Sequence, residues 1–428
     1  MPFALALLLL LLSAVGLAQP AAPKPQGGGG TVTAIRAGTL VDPDSGTTAR
    51  NQTILVENGR VTAVGAQVPA GATVIDLSRY TVLPGLIDAH THLCMHIDLQ
   101  RDASSYFYTT IRDPNTYRAI QGIVHARSML EAGFTTVRDV GNDGNYACAS
   151  VHRAIEAGLA PGPTMITAGR IIAPYGGQFF LQPERRELGE PEYFFADTRD
   201  EMRKAVRENI HYGAGVIKIV VDDQRYIYSE DDIRFIVEEA AASGLRVAAH
   251  VFTRAGAHNA VAAGVATLEH LNGIADEDLE LAKRKGIIAV FTPFPESALL
   301  LFRRQPERAR QEYTQEIDRL RSGYRIGVPI AFGSDVIFPV DGLSRGETTI
   351  QWVDSYVAAG LTSKDILRAM TTTAALAIGV EKERGSIRPQ MAADIIATSG
   401  NPLDDIQALK RVGFVMKNGR VIRQPSAE

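Results

Sequence analysis

The sequence has too few cysteines for a disulfide-stabilised fold and too little clustered positive charge for a protein that binds nucleic acid or anionic membranes. Only Cys94 and Cys148 occur among its 428 residues, so a disulfide framework is excluded. Lys and Arg total 44 against 48 Asp and Glu, which gives a net charge of −4, and the longest basic block is Lys283-Arg284-Lys285. We therefore expect no nucleic acid and no anionic membrane surface as a partner.

The apolar run nearest the N-terminus, residues 3–12, is too short to span a bilayer but has the length of a signal-peptide core. Small residues follow at positions 16 and 18, although no Lys or Arg precedes the run. We expect residues 1–18 to be a signal peptide and residues 19–30, which read QPAAPKPQGGGG, to be a flexible linker. The expected location is exported, periplasmic or secreted, without stable membrane anchoring after processing.

Both ends of the remaining chain show short β-type runs separated by turn signals. Asn58-Gly59 lies between two such runs, and Asn418-Gly419 repeats the pattern near the C-terminus. Asn-Gly between apolar runs is a strong hairpin signal. We predict one small β-sandwich domain assembled from residues 31–83 and 385–428.

Between these ends, β-type runs alternate with helical patterns, which is typical of parallel strands joined by crossover helices. The candidate strands are residues 82–86, 135–139, 164–168, 216–220, 246–250, 267–270, 287–291 and 330–332. Eight such units predict an α/β fold of the (β/α)8 TIM-barrel type over residues 84–384, rather than an open doubly wound sheet.

Six residues that suit a metal site lie in or at the ends of these strands. They are His90, His92, Lys218, His250, His270 and Asp335. Barrel active sites lie at the carboxyl ends of the strands, and alternation along a strand lets two histidines at i and i+2 bind one ion. Each of these residues alone commonly has a structural role. The whole set instead indicates the active site of a metal-dependent hydrolase, spread over the strands of the barrel.

These motifs resemble those of the amidohydrolase superfamily, from about residue 31 to residue 422. The carrying motifs are PGLIDAHTHL at 84–93, IKI at 217–219, AAH at 248–250, LEH at 268–270, GSD at 333–335, GSI at 385–387 and ADI at 393–395. The first motif is specific, and the joint occurrence is more specific still.

In binuclear members of that superfamily, the lysine equivalent to Lys218 reacts with carbon dioxide and becomes a carbamate that bridges two ions. The resemblance implies two divalent ions, with His90, His92 and Asp335 on the first, His250 and His270 on the second, and N6-carboxylysine at Lys218 between them. It further implies attack by a metal-bound hydroxide with Asp335 as proton shuttle. Zinc is the default for these ligands, while manganese, cobalt and iron stay open. A salt bridge at the barrel end is the structural alternative for Lys218.

Within the superfamily, the chain is most similar to the prolidase-like and imidazolonepropionase-like dipeptidases and to ochratoxin-degrading members. The implied substrates are small molecules, namely dipeptides or N-acyl amino acids with hydrophobic or aromatic residues, including ochratoxin A, cleaved in the manner of a carboxypeptidase or dipeptidase. A cyclic amide or lactone hydrolase and a non-catalytic assembly scaffold are the alternatives, and homo-oligomerisation stays open.

Three residues are candidates for substrate contact. By resemblance Tyr228 would donate to the substrate carbonyl, with packing over the following helix as the alternative. Gln178 stands where relatives often have a histidine after strand three, and it can donate a hydrogen bond without being a cation. Arg225 could pair with a substrate carboxylate. We also expect aromatic residues after strands three and seven, among them Phe179 and Phe291, to wall the pocket or to anchor loops.

Overall fold

The computed structural model describes residues 32–340 and 342–425. The predicted signal peptide, residues 1–18, and the predicted linker, residues 19–30, lie outside the described residues, so both stay predictions. Within the described part, no helix combines the length and apolar character needed to cross a membrane. Cys94 and Cys148 are both free and buried.

The described residues form sixteen strands. They are β1 (Thr33–Asp42), β2 (Thr47–Glu57), β3 (Arg60–Val64), β4 (Thr73–Pro84), β5 (Leu86–Thr91), β6 (Phe134–Asp139), β7 (Thr164–Thr167), β8 (Ile171–Ala173), β9 (Tyr193–Phe195), β10 (Ile217–Val220), β11 (Val247–Val251), β12 (Thr267–His270), β13 (Ile288–Val290), β14 (Ile395–Thr398), β15 (Val412–Lys417) and β16 (Arg420–Arg423).

The same residues form thirteen α-helices and two 3₁₀ helices. They are α1 (Tyr106–Arg112), α2 (Asn115–Glu131), α3 (Ala147–Glu156), α4 (Arg199–His211), α5 (Glu230–Ala241), α6 (Arg254–Ala263), α7 (Asp276–Lys285), α8 (Glu296–Arg303), α9 (Pro306–Ile326), α10 (Arg345–Gln351), α11 (Val353–Ala358), α12 (Ser363–Ala369), α13 (Thr372–Ile378), and the 3₁₀ segments Pro183–Leu188 and Ile406–Arg411.

Strands from both chain ends form one seven-stranded sheet in the order β16-β15-β14-β4-β1-β2-β3. Asn58 and Gly59 connect β2 to β3 with positive φ angles of 51° and 78°, as a tight hairpin turn requires. Buried side chains such as Ile35, Leu77 and Phe414 form the core of this unit. A β-rich unit built from both chain ends is therefore present; its strands are hydrogen-bonded into a single sheet, whereas the predicted β-sandwich implied two packed sheets.

Parallel strands make up the central unit, in two runs of pairing: β5-β6-β7 and β9-β8-β10-β11-β12-β13. Backbone hydrogen bonds join the runs: Gly215 donates to Thr167 O at 2.9 Å, and Ala331 and Ala289 connect β13 to the segment around Ile330. Ala89 of β5 donates to Phe332 O at 2.8 Å and so closes the ring. The (β/α)8 prediction is confirmed.

Two details of the strand prediction are corrected. Residues 82–84 belong to β4, where Val82 lies opposite Ala397, so the first barrel strand begins only at Leu86. Gly85 makes this passage possible, because a Cβ there would come within 2.2 Å of the Thr135 hydroxyl. The three-residue strands β8 and β9 were not predicted at all; β8 pairs with β10, and β9 pairs with β8.

Candidate metal centre and active site

The structure brings the six predicted ligand residues together at the carboxyl ends of the barrel strands. Five of them line a cavity of about 120 Å³, and the sixth, His90, is fully buried beside them with its ring 4.7 Å from that of His270. Asp335 Oδ1 lies 3.2 Å from His92 Nε2 and 3.8 Å from His90 Nε2. The rings of His250 and His270 are 4.6 Å apart.

The ring nitrogens of the first histidine pair have defined roles. His90 Nδ1 lies 2.7 Å from Glu269 Oε2, and His92 Nδ1 lies 2.7 Å from Gly141 O. A carbonyl oxygen only accepts, so Nδ1 of His92 carries the proton. In the neutral ring each Nε2 is then left with its lone pair free, and each points toward Asp335. That is the form of histidine that binds a metal.

Several buried polar atoms of this cluster have no hydrogen-bond partner among the described residues: His90 Nε2, His250 Nε2 and Lys218 Nζ. An unsatisfied buried polar atom costs roughly 1–3 kcal/mol, so three at one place require an explanation. Cations bound by the histidine nitrogens, together with carboxylation of Lys218, would satisfy all three. The residues present therefore fit the metal centre that the motifs imply.

Burial sets the protonation of the cluster. It lowers the pKa of His90 and His270 well below the usual range, and the neighbouring cationic groups add to this effect. For His92, burial acts in the same direction, but the hydrogen bond and charge of Asp335 outweigh it and raise the pKa. Burial also lowers the pKa of Lys218 to about 8, which favours the neutral amine that can react with carbon dioxide.

Two of the six residues adopt backbone conformations that side chains rarely take. His270 has a φ of 69° and Asp335 a φ of 54°, in the left-handed region that normally favours glycine. Strain of this kind costs about 1–3 kcal/mol and is concentrated at functional sites. The two conformations turn the ends of β12 and of the last barrel segment so that both side chains face the same cavity.

A buried ion pair beneath the cavity holds His90 in place. Glu269 Oε1 accepts from Arg138 Nη2 at 2.6 Å and from the Thr267 hydroxyl, while its other oxygen contacts His90 Nδ1. Arg138 also donates to Ala89 O at 2.6 Å, which ties the pair to the strand that carries His90. Glu269 belongs to the LEH motif, but no role was predicted for it; a carboxylate within a short β-type run that ends at a predicted ligand was the available signal.

Asp88 fixes the geometry between the first and last barrel strands. Its Oδ1 accepts from the backbone of His90 at 3.0 Å and from the backbone of Ser334 at 3.1 Å. The backbone of Asp335 in turn donates to His90 O at 2.9 Å. These bonds hold the predicted ligands His90 and Asp335 in register, although the two are 245 positions apart in the chain (335 − 90 = 245).

The predicted substrate contacts fare differently. Gln178 lines the cavity, where its Nε2 donates to Asp223 Oδ2 at 2.6 Å and its Oε1 accepts from the Tyr193 hydroxyl at 2.8 Å. Arg225 is exposed on the loop after β10. Asp223 was missed as a site residue, although it stands in the same loop and its Oδ2 lies 3.1 Å from His250 Nε2.

Tyr228 does not reach the cavity. It is completely buried, and its hydroxyl donates to Ala196 O at 2.6 Å, so its proton is used within the fold. In this structure Tyr228 therefore has the packing role given as the alternative, and its hydroxyl is not available to a substrate in the cavity.

The aromatic wall also differs from the expectation. Phe179 and Phe291 are buried in hydrophobic clusters, and Phe180 is 91% exposed. The aromatic side chains that line the cavity are Tyr106 and Phe252. Phe252 follows His250 by two positions, and its ring is 4.2 Å from the histidine ring; the period of a strand was the signal that could have identified it.

Comparison with known proteins agrees with this geometry. An ochratoxinase from Aspergillus niger is 29% identical over 436 residues, covering 92% of this chain and 87% of that protein. An imidazolonepropionase from Kosmotoga olearia is 21% identical over 398 residues, covering 87% and 91%. The crystal structure of a Xaa-Pro dipeptidase with bound methionine in its active site superposes with a TM-score of 0.81 at 27% identity, covering 92% of this chain and all of that one.

The sequence profile of the amidohydrolase family matches residues 81–422. This is well over half of the chain, which therefore belongs to the amidohydrolase family. The protein is an enzyme, a metal-dependent hydrolase that acts on carbon–nitrogen bonds of small molecules.

Proposed function

We propose that this protein is an exported binuclear amidohydrolase that cleaves the amide bond of dipeptides or N-acyl amino acids. The observation that carries the proposal is the convergence on one cavity of three histidines, Lys218 and Asp335, with His90 buried beside them. Three buried polar atoms of this cluster have no hydrogen-bond partner within the described part.

The proposed ligands form two groups that share one bridge. His90, His92 and Asp335 would hold one ion, His250 and His270 the other, and a carbamate on Lys218 would bind both. Zinc suits nitrogen and oxygen ligands of this kind. When bound, a pair of divalent ions supplies Lewis acidity that polarises the amide carbonyl and lowers the pKa of water.

Asp335 is the proposed proton carrier. Its side chain is 18% exposed, more than the histidines it faces, so it lies at the boundary between the ligand cluster and the cavity. A carboxylate in this position can take a proton from the attacking water and deliver it to the departing nitrogen. Glu269 and Asp88, which fix His90 and the backbone before Asp335, would keep this transfer distance constant.

The proposed substrate class draws support from the relatives and from the cavity. One relative is an ochratoxinase, and a structural neighbour is a Xaa-Pro dipeptidase with methionine in its active site. The cavity of about 120 Å³ is smaller than the roughly 300–1,000 Å³ of sites for drug-sized ligands, so it would hold the atoms around the scissile amide while the rest of a larger substrate lies outside it. Tyr106 and Phe252 offer apolar contact to hydrophobic side chains. Arg225 is exposed on the loop after β10, and it is the proposed partner for the substrate carboxylate.

Mass spectrometry of released amino acids tests the proposal. Zinc-loaded protein would be incubated with dipeptides, N-acyl amino acids including ochratoxin A, cyclic amides and lactones, with Asp335→Asn as the inactive control. We expect release of carboxy-terminal amino acids, strongest for hydrophobic and aromatic ones. Opening of cyclic amides or lactones without any amino-acid release would contradict the proposed substrate class and favour the alternative.

A further inference from the structure

The loop after β10 places two consecutive carboxylates beside His250, and they have different surroundings. Asp222 is engaged on both oxygens: it accepts from the backbone of Phe252 at 2.9 and 3.0 Å and from the backbone and hydroxyl of Thr253 at 2.6 and 2.7 Å. Asp222 therefore fastens the start of α6. Asp223 Oδ2 instead lies 3.1 Å from His250 Nε2 and accepts from Gln178 Nε2 at 2.6 Å.

The contact is close, and the histidine is buried. His250 is only 4% exposed, and its Nε2 meets no acceptor at regular hydrogen-bond geometry in the described part of the chain. Two ligands about 2.0–2.1 Å from one ion, at angles of roughly 90–110°, are about 2.9–3.4 Å apart. The separation of His250 Nε2 and Asp223 Oδ2 falls within that interval.

We infer that Asp223 is a seventh protein ligand, which binds the same ion as His250 and His270. The inference rests on the proposed function, since it assumes the two-metal centre. It also follows from charge: two divalent ions bring four positive charges, and Asp335 with a carboxylated Lys218 would supply only two negative ones. A third carboxylate reduces the excess positive charge that a mostly buried centre must otherwise carry.

Gln178 then acts as a positioning residue and not as a substrate contact. Its Nε2 donates to Asp223 at 2.6 Å, and its Oε1 accepts from Tyr193, whose hydroxyl also accepts from Asn142 at 3.0 Å and lies 2.8 Å from the Tyr106 hydroxyl. The carboxamide cannot turn over without losing both bonds, so it directs the Asp223 carboxylate toward His250. Ligating carboxylates are commonly held by such hydrogen bonds.

Metal titration of the full-length protein tests this inference independently of catalysis. Zinc affinity would be measured by competition with a chromophoric chelator, and the cobalt-substituted protein by its visible absorption, for wild type, Asp223→Asn and Asp231→Asn. Asp231, whose side chain is 72% exposed on α5, provides a control with the same change of charge. We expect Asp223→Asn to weaken the second equivalent at least about tenfold and to alter the cobalt spectrum, while Asp231→Asn behaves as wild type.

The outcomes separate the two hypotheses. Wild-type protein that binds two ions, with unchanged second affinity and cobalt spectrum in Asp223→Asn, would overturn the seventh ligand alone. Wild-type protein that binds fewer than two ions would overturn the proposed two-metal function and this inference with it. If Asp223→Asn does not fold, Gln178→Ala is the second variant, because it keeps the Asp223 carboxylate but removes the hydrogen bond that directs it. We then expect a smaller loss of affinity for the second ion. Wild-type affinity in Gln178→Ala would overturn the inference.

Discussion

Replacing Glu269 with glutamine removes the negative charge that faces two buried donors beneath the metal centre. The side chains of Glu269 and Arg138 are 0% and 1% exposed, and their ion pair measures 2.6 Å. Glutamine preserves the shape but places an NH2 group against either the guanidinium or His90. Breaking a buried pair in this way costs about 3–5 kcal/mol, because the remaining charge stays buried and uncompensated.

Urea unfolding of the metal-free proteins, followed by circular dichroism, measures this loss without a contribution from bound ions. Glu277→Gln is the matched control, since that side chain is 79% exposed and lies 3.7 Å from Arg254; a pair of this kind contributes at most about 1 kcal/mol. We also expect Glu269→Gln to bind zinc about 10–100-fold more weakly, because His90 loses the acceptor that orients it. A loss of stability below about 1 kcal/mol for Glu269→Gln would refute the reasoning.

Further predictions concern the proposed catalytic and substrate residues. Lys218→Ala should lose most activity, and short carboxylic acids should partly restore it by replacing the carbamate; full activity without them would refute the bridge. Asp335→Asn, assayed with zinc in excess so that the remaining ligands keep the metal, as checked by elemental analysis, should lose about 10²–10⁴-fold in kcat; retained turnover would exclude it as proton carrier. Tyr228→Phe should lower the free energy of unfolding in urea by about 1 kcal/mol and leave KM unchanged. Arg225→Gln should raise KM about tenfold or more. A raised KM for Tyr228→Phe with an unchanged KM for Arg225→Gln would restore Tyr228 as the substrate contact.

Most of the barrel was predictable because its strands are apolar runs that alternate with amphipathic helices. β8 and β9 escaped prediction because each has only three residues, which is shorter than the windows in which a strand period can be recognised. The boundary at Gly85 escaped for a different reason. The apolar run continues through residues 82–86, and only the pairing of Val82 with Ala397 shows that its first part belongs to another sheet.

The ligand cluster could be predicted because barrel strands end at one face, whatever their order in the chain. The residues that support the ligands could not, since their contacts depend on register across the barrel. Arg138 and Glu269 are 131 positions apart, and nothing local marks them as partners. Tyr228 lies in the segment after β10, as predicted, but its side chain turns away from the cavity and its hydroxyl donates to Ala196 O. The local sequence does not determine that direction.

Diffraction data collected at the zinc absorption edge from crystals of the zinc-loaded protein would test the two-metal centre most directly. The account predicts two anomalous peaks at the carboxyl end of the barrel, one contacted by His90 and His92 and the other by His250 and His270, with Lys218 between them. A single peak, or peaks outside this cluster, would contradict it.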